Sequence, residues 1–316
     1  MLLVRIALIG LGLQGERLTD ATSKTKGVIL TCTVSRSEKR LAEFTKIRKI
    51  HGTSSISTLE DVDAVLVASA NHLHASDAIA VAECKKPFLI EKPLARTLSE
   101  AKRIRTAAKK NRVKGFVDFQ LRMHPSVLKA QRDIQKGKIG TLLYGEFVWA
   151  VGGLEGKTPS LPPHMRWRED PKESGGGSLP TRGSHLFDLI RFLTGKEVIS
   201  VLAKSDATPT TVDRTALGVL TLSNGAAVYV MTSKSVPNSD NRVVLYGTKG
   251  VIEIRDIFTH VPAELYERTI QSFLKELAGK KTSLATLADG IASVAITEAF
   301  QKSAKTGKRV RISPWA

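Results

Sequence analysis

The 316-residue sequence predicts a two-part α/β fold: a doubly wound parallel sheet over residues 1–117, then an α+β part over 118–316 built on a large, mostly antiparallel open sheet. Three observations predict it. The chain opens with an apolar run, Leu2 to Ile9, that enters Gly10-Leu11-Gly12-Leu13-Gln14-Gly15 and then a helical pattern. Apolar runs and helical stretches alternate through the first third, as parallel strands buried on both faces require. Beyond residue 118 the segments lengthen, alternate in polarity and are separated by turn signals. A chain of this length exceeds one ordinary domain, so two domains are expected.

The elements follow in order. After the glycine turn comes a second strand, Val28 to Val34, then Ser35-Arg36-Ser37 and a helix from Ser37 to about Lys46. The run Asp61 to Ser69 reads as a buried strand, and Asn71-His72-Leu73-His74 opens the next helix. Pro87 to Ile90 and Lys114 to Val117 are short strands, separated by basic residues from Arg96 to Lys114 that alternate with apolar ones at helical spacing. In the second part, strands are expected at Leu142 to Val151, Val198 to Lys204, Ala216 to Leu222, Ala226 to Ser233 and Arg242 to Ile254. Asn224-Gly225 signals a two-residue hairpin. Helices are expected at Pro125 to Lys136, Ser184 to Leu193, Ala263 to Leu277 and Leu284 to Lys305.

The glycine spacing carries chemistry. In a strand–turn–helix unit, Gly10 permits the sharp turn, Gly12 lets backbone approach a pyrophosphate, and Gly15 lets helix and strand pack closely. The helix N-terminus, with Leu13 and Gln14, offers N–H groups and a positive dipole end to phosphates. Nicotinamide dinucleotides are bound this way. An NAD-binding unit carries an acidic residue about 20 positions later, on the ribose 2′-hydroxyl. Here Ser35 and Arg36 stand in that region, a hydroxyl and a planar cation suited to a 2′-phosphate, so NADP(H) is preferred over NAD(H). Ser35-Arg36 equally suits capping of the next helix, and the two roles are compatible.

Composition bounds the alternatives. The hydrophobic share of 42% and charged share of 25% are those of a soluble globular protein. The net charge of +18 divides into +10 over residues 1–117 and +8 over the rest, and no aromatic residues interleave with the basic cluster, so nucleic acid is excluded as a partner. The opening apolar run is too short to span a bilayer and lacks a leader's flanks, so no membrane association and a cytoplasmic location are expected. Cys32 and Cys84 give neither metal spacing nor a disulfide framework. His72 and His74 do not share a helix face, so no metal site is expected.

Glu91-Lys92-Pro93 follows a strand, at the sheet edge where ligands gather. The glycine fingerprint, Ala70-Asn71-His72-Leu73-His74, Glu91-Lys92-Pro93 and a later glycine-rich stretch with histidine, in this order, resemble the Gfo/Idh/MocA oxidoreductases, the glucose-fructose oxidoreductase and inositol dehydrogenase family. The resemblance spans essentially the whole chain. Gln120-Leu121-Arg122-Met123-His124-Pro125, Gly137 to Gly140, Trp167-Arg168 before Ser174 to Gly177, and Gly183-Ser184-His185 also match. It implies an N-terminal Rossmann domain and catalytic roles for Lys92 and His185: protonated Lys92 donating to the reacting oxygen, His185 as general acid or base. It implies cofactor contacts from Ser69, Ala70, Asn71, His74, Glu91, Lys92 and Arg168, beside Gly10, Gly12, Leu13, Gln14, Gly15, Ser35 and Arg36. Substrate contacts fall to Lys92, Arg122, Thr181 and His185. One departure stands out: sugar dehydrogenases of this family carry an aspartate one turn before the histidine, where this chain has Thr181 after Pro180.

The expectation is an NADP(H)-dependent oxidoreductase of a small carbonyl or sugar-derived polyol, a homodimer or homotetramer through its second sheet. The alternative is a non-catalytic, NADP-responsive regulatory protein of the same fold, which Thr181 favours and Lys92 with His185 disfavour.

Overall fold

The computed structural model describes residues 3–59, 61–152, 161–236, 240–255, 257–258 and 262–313; Leu2 of the first expected strand lies outside them. The chain divides into two compact units. The first comprises Met1–Ala95, Ser99–Gln120 and Pro262–Gly290, and the second Arg96–Leu98, Leu121–Val261 and Ile291–Ala316.

In chain order the first unit has β1 (Val4–Ile9), α1 (Leu13–Lys24), β2 (Val28–Val34), α2 (Glu38–Arg48), β3 (His51–Thr53), β4 (Ala64–Val67), α3 (Asn71–Glu83), β5 (Phe88–Glu91), α4 (Leu98–Lys110) and β6 (Gly115–Asp118). The second contributes α5 (Pro125–Gln135), β7 (Leu142–Ala150), α6 (Pro171–Ser174), α7 (Ser184–Thr194), β8 (Val198–Ser205), β9 (Thr215–Leu222), β10 (Ala227–Ser233), β11 (Arg242–Gly247) and β12 (Gly250–Arg255). Then follow α8 (Glu264–Leu277), β13 (Ala285–Thr286), α9 (Leu287–Thr306) and β14 (Val310–Arg311).

The first sheet runs β13-β6-β5-β4-β1-β2-β3, parallel except for β13. The order reverses direction between β1 and β4, and such a switch point opens a crevice at the strands' carboxyl ends. The strand cores are wholly apolar, Ile6 to Leu8 and Ala64 to Val67 being completely buried. The segment Pro262–Gly290, expected with the second part, packs with the first. The apolar stripe of α8, with Leu265, Ile270 and Phe273 buried, lies against α1, and β13 pairs with β6 where a helix was expected to begin at Leu284.

The second sheet runs β12-β11-β7-β10-β9-β8-β14 and is antiparallel except for the parallel pair β7–β10. Alternation assigns Phe147, Val228 and Leu220 to the inner face, and all three are fully buried. The other face exposes Leu202, Leu217, Val219 and Val251 beside the Arg242–Glu146 ion pair. Register aligns Val244, Glu146, Tyr229, Val219 and Leu202 in one row across it, and Tyr246 with Tyr144 in another. The expected strand Arg242 to Ile254 is a hairpin, turning between Gly247 and Gly250. The Asn224-Gly225 turn has three loop residues, since Leu222 bonds Ala226 and only Gly225 takes positive φ; a two-residue I′ turn needs it at both central positions.

Candidate active site

The crevice of the first unit is shaped by backbones in contact. Gly10 has φ +93°, and a Cβ there would stand 2.5 Å from the Ser69 nitrogen. A Cβ on Gly15 would overlap the Gly10 carbonyl. Gly12 differs: nothing lies within 4 Å of where its Cβ would be, and it caps α1 with no side chain on the free N–H groups. An open, amide-lined turn is what a pyrophosphate needs. Beside it the Ser69 hydroxyl is buried without a hydrogen-bond partner among the described residues, a polar atom that suits a polar ligand. A nicotinamide dinucleotide therefore fits the residues present.

Around this turn several expected residues are already engaged. Gln14 accepts from Arg17 (3.0 Å) and from the Tyr266 hydroxyl (3.3 Å). Ala70 is the N-cap of α3, and Asn71 starts that helix, buried. His74 is buried with a carbonyl beside each ring nitrogen, Pro93 O 2.7 Å from Nδ1 and Ser69 O 3.0 Å from Nε2, and the neutral ring donates its one N–H to one of them. It pins the loop that carries Lys92 to the end of β4, and burial pushes its pKa down.

At the end of β2, Ser35 holds the Ser37 amide (3.2 Å), and Ser37 is the residue that caps α2. Arg36 lies on Asp77 of α3, Nη2 to Oδ1 at 2.5 Å and Nη1 to Oδ2 at 3.5 Å. The Asp77 carboxylate is fully buried, while Arg36 is half exposed. Arg40, which the sequence did not single out, donates to the Leu11 carbonyl in the glycine turn (2.5 Å).

Lys92 follows β5, joined to Pro93 by a cis peptide, and its amide donates to Glu91 Oε2 (3.2 Å). Parallel register sets Glu91 opposite Asp118 of β6, and both are buried. Asp118 lies beside Glu91 and Thr269 without closing a well-formed hydrogen bond to either. Burial, and then the charge of Glu91, push the Asp118 carboxyl well above the usual aspartate range. Burial also raises Glu91, opposed by the neighbouring Lys92 charge. Two buried carboxyls side by side favour sharing one proton between them, which reduces the negative charge beside Lys92.

In the second unit His185 sits in the first turn of α7, buried, its ring 5.7 Å from Trp149. Trp149 stacks on Phe258 (4.8 Å) and carries the Arg182 guanidinium over its ring (5.6 Å). Arg182 donates to the carbonyls of Val151 and Ser233, and burial lowers its pKa to about 10. Ser184 does not cap α7. A π-helical turn, Leu179–Gly183, runs straight into it, started by buried Asp213, which accepts from the Gly177 and Leu179 amides (2.7 and 2.6 Å). Thr181 spends its hydroxyl on that turn, donating to the Gly177 carbonyl (2.5 Å).

Arg122, expected at the substrate, is buried in a bidentate pair with Asp188 of α7 (2.8 and 2.6 Å), over the Phe192 ring. Arg168 lies on the Trp167 ring at 5.1 Å. Lys92 and His185 belong to different units. Trp149, Arg182 and Asp213 escaped the sequence reading because nothing local marks them; Asp118 and Asp77 carried a signal, each an acid amid residues of buried pattern. Among the described residues no three His, Cys, Asp or Glu side chains cluster as metal ligands, and no helix is long and apolar enough to cross a membrane.

Residues 4–119 match the profile of an oxidoreductase family with an NAD-binding Rossmann fold, and residues 127–253 match the GFO/IDH/MocA C-terminal domain. The chain is 27% identical to a 1,5-anhydro-D-fructose reductase of Ensifer adhaerens, over 94% of this chain and 95% of that one. It is 28% identical to an inositol 2-dehydrogenase of Saccharopolyspora erythraea, over 98% and 96%. Its fold matches a levoglucosan dehydrogenase solved with NADH and levoglucosan, with TM-score 0.86 at 23% identity, covering 98% of this chain and all of that one.

Two outcomes are expected here. Arg122→Ala takes the cation away from the buried Asp188 carboxylate and lowers stability by about 3–5 kcal/mol in urea unfolding; adding Asp188→Leu recovers much of it. Between the ordinary aspartate range, about pH 4, and its raised folded value, Asp118 keeps a proton that the unfolded chain has lost, so stability falls as pH rises. Asp118→Asn removes that fall: its melting temperature matches the parent near pH 4 and exceeds it by several degrees at pH 8.

Proposed function

The chain belongs to the Gfo/Idh/MocA family of oxidoreductases, and from that premise we propose that it exchanges a hydride between NADP(H) and a small carbonyl or polyol, sugar-derived in character. The observation that carries the reading is the open turn at Gly12 with the orphaned Ser69 hydroxyl beside it. The dinucleotide is held by the amides of Gly12 to Gly15 and by the ends of β2 and β4. Ser35 and Arg36 replace the acid of an NAD site, so NADP(H) is favoured and NAD(H) admitted. The bound nicotinamide supplies hydride exchange; the protein supplies position and the proton.

Lys92 is the proton donor in the reducing direction. Its ammonium donates to the reacting oxygen and stabilises charge developing there, then recovers a proton from solvent. The Glu91–Asp118 pair supports this role, since a single shared negative charge favours the ammonium form without a second carboxylate to compete for substrate. His185 serves as general acid or base. Thr181 donates its hydroxyl to the Gly177 carbonyl and offers no charge to a ligand or to His185. The named relatives act on anhydro-sugars and inositols, which supports substrates of that class.

The open face of the second sheet is the self-association surface. Leu202, Leu217, Val219, Tyr246 and Val251 expose apolar surface there, each over a third accessible, which a free monomer rarely presents as one patch. A homodimer or homotetramer would cover it.

NADPH absorbance decay across aldoses, ketoses and inososes tests the enzyme: turnover of any is expected, and none at all would favour a regulatory protein. Lys92→Ala is expected to lower kcat at least 1,000-fold while NADPH affinity in calorimetry stays within about threefold; a variant with full turnover would remove Lys92 from the mechanism. Val219→Glu is expected to shift the protein to monomer in light scattering after gel filtration, and an unchanged assembly would place the interface elsewhere.

A further inference from the structure

The Arg36–Asp77 pair joins the end of β2 to the middle of α3, and neither partner is explained by packing alone. Asp77 lies on the buried stripe of α3 with His74, Ala78, Val81 and Ala82, a row otherwise free of charge. A carboxylate there needs a cation, and Arg36 provides it through two nitrogens, keeping the rest of its guanidinium in solvent. Arg36 also stands 21 positions past Gly15, where a dinucleotide-binding unit reads the ribose 2′ position. The residue that meets the 2′ substituent is thus already bound to an anion.

We propose that Asp77 is a cofactor-specificity residue: by neutralising Arg36 from behind, it holds down the preference for the 2′-phosphate and so keeps NAD(H) usable. This rests on the dinucleotide reading above. A free guanidinium would attract a 2′-phosphate strongly and a 2′-hydroxyl hardly more than any donor would. A guanidinium paired to a carboxylate still donates its outward N–H groups to either ligand, but its charge is cancelled within a few ångströms. A dianionic 2′-phosphate approaching Arg36 meets the repulsion of Asp77 as well. The neutral hydroxyl does not. Discrimination is therefore set by two residues 41 positions apart, only one of them at the usual place.

The test is binding, read by titration calorimetry with NADPH, NADH and 2′,5′-ADP on the parent, Asp77→Asn, and the double variant Arg36→Gln with Asp77→Asn. Asn keeps the shape and one acceptor for Arg36 while removing the charge. Asp77→Asn is expected to bind NADPH and 2′,5′-ADP about tenfold tighter, with NADH within about twofold. The double variant is expected to lose that gain. Should the amide disturb α3 in a melting scan, Asp77→Ser carries the same comparison. An unchanged NADPH-to-NADH ratio in a folded charge-removing variant overturns the proposal and leaves Asp77 as an anchor between β2 and α3. A parent that binds none of the three ligands overturns the dinucleotide reading itself, a result distinguishable from the first.

Discussion

The crevice of the first unit depends on a contact between backbones with no side chain between them. Gly15 lies against the Gly10 carbonyl and Gly10 against the Ser69 amide, so the first turn of α1, the end of β1 and the end of β4 are drawn to within van der Waals reach. Any Cβ at either glycine would drive these elements apart. Everything else at that edge follows from this approach. His74 can bridge the carbonyls of Ser69 and Pro93 because β4 and β5 are held side by side, and the same register brings Glu91 opposite Asp118. Gly12, which no steric contact requires, is left facing open space, and ligand approach is the remaining reason for a residue without a side chain there.

Buried charge is handled in three ways, and each implies something different. Arg122 and Asp188 form a closed pair, both ends buried. Arg36 and Asp77 form a half-open pair, one end buried and one in solvent, able to interact outward while its net charge is small. Glu91 and Asp118 are like charges side by side, and the burial of both makes protonation of one the cheaper arrangement. Of these groups, Arg36, Glu91 and Asp118 stand at or just past the carboxyl ends of β2, β5 and β6, where the ligand crevice of the first unit opens. A protein needing only stability would fill such positions with apolar side chains.

What the sequence made legible was what depends on neighbours in the chain. The strands and helices were readable because their apolar periodicity is local, and the glycine turn because its three positions each answer one steric demand. The hairpin at Asn224 went astray by one residue, since dipeptide identity does not fix which positions take positive φ. The segment Pro262–Gly290 was assigned to the wrong neighbours because an amphipathic helix such as α8 shows which face it buries but not against what. Side-chain roles at long range were the least readable. Arg122 looked available in a segment that resembles a family motif, but its partner lies 66 positions away on α7. Asp77 stands among apolar positions of α3, but only the fold reveals that Arg36, 41 positions earlier, is the cation that reaches it.

Thr181 shows how a single departure can be absorbed by backbone geometry. A carboxylate one turn before His185 could support charge on the imidazole, and a threonine cannot. The structure does not leave the hydroxyl idle in that place: Pro180 and the π-helical turn aim it back at the Gly177 and Ser178 carbonyls, and Asp213 fixes the start of the turn from outside. The next acid along the helix, Asp188, is consumed by Arg122. Both positions that could have tuned His185 from its own helix are thus committed to holding the helix in place. Beside the imidazole stands Trp149, stacked on Phe258 and carrying the Arg182 guanidinium over its ring.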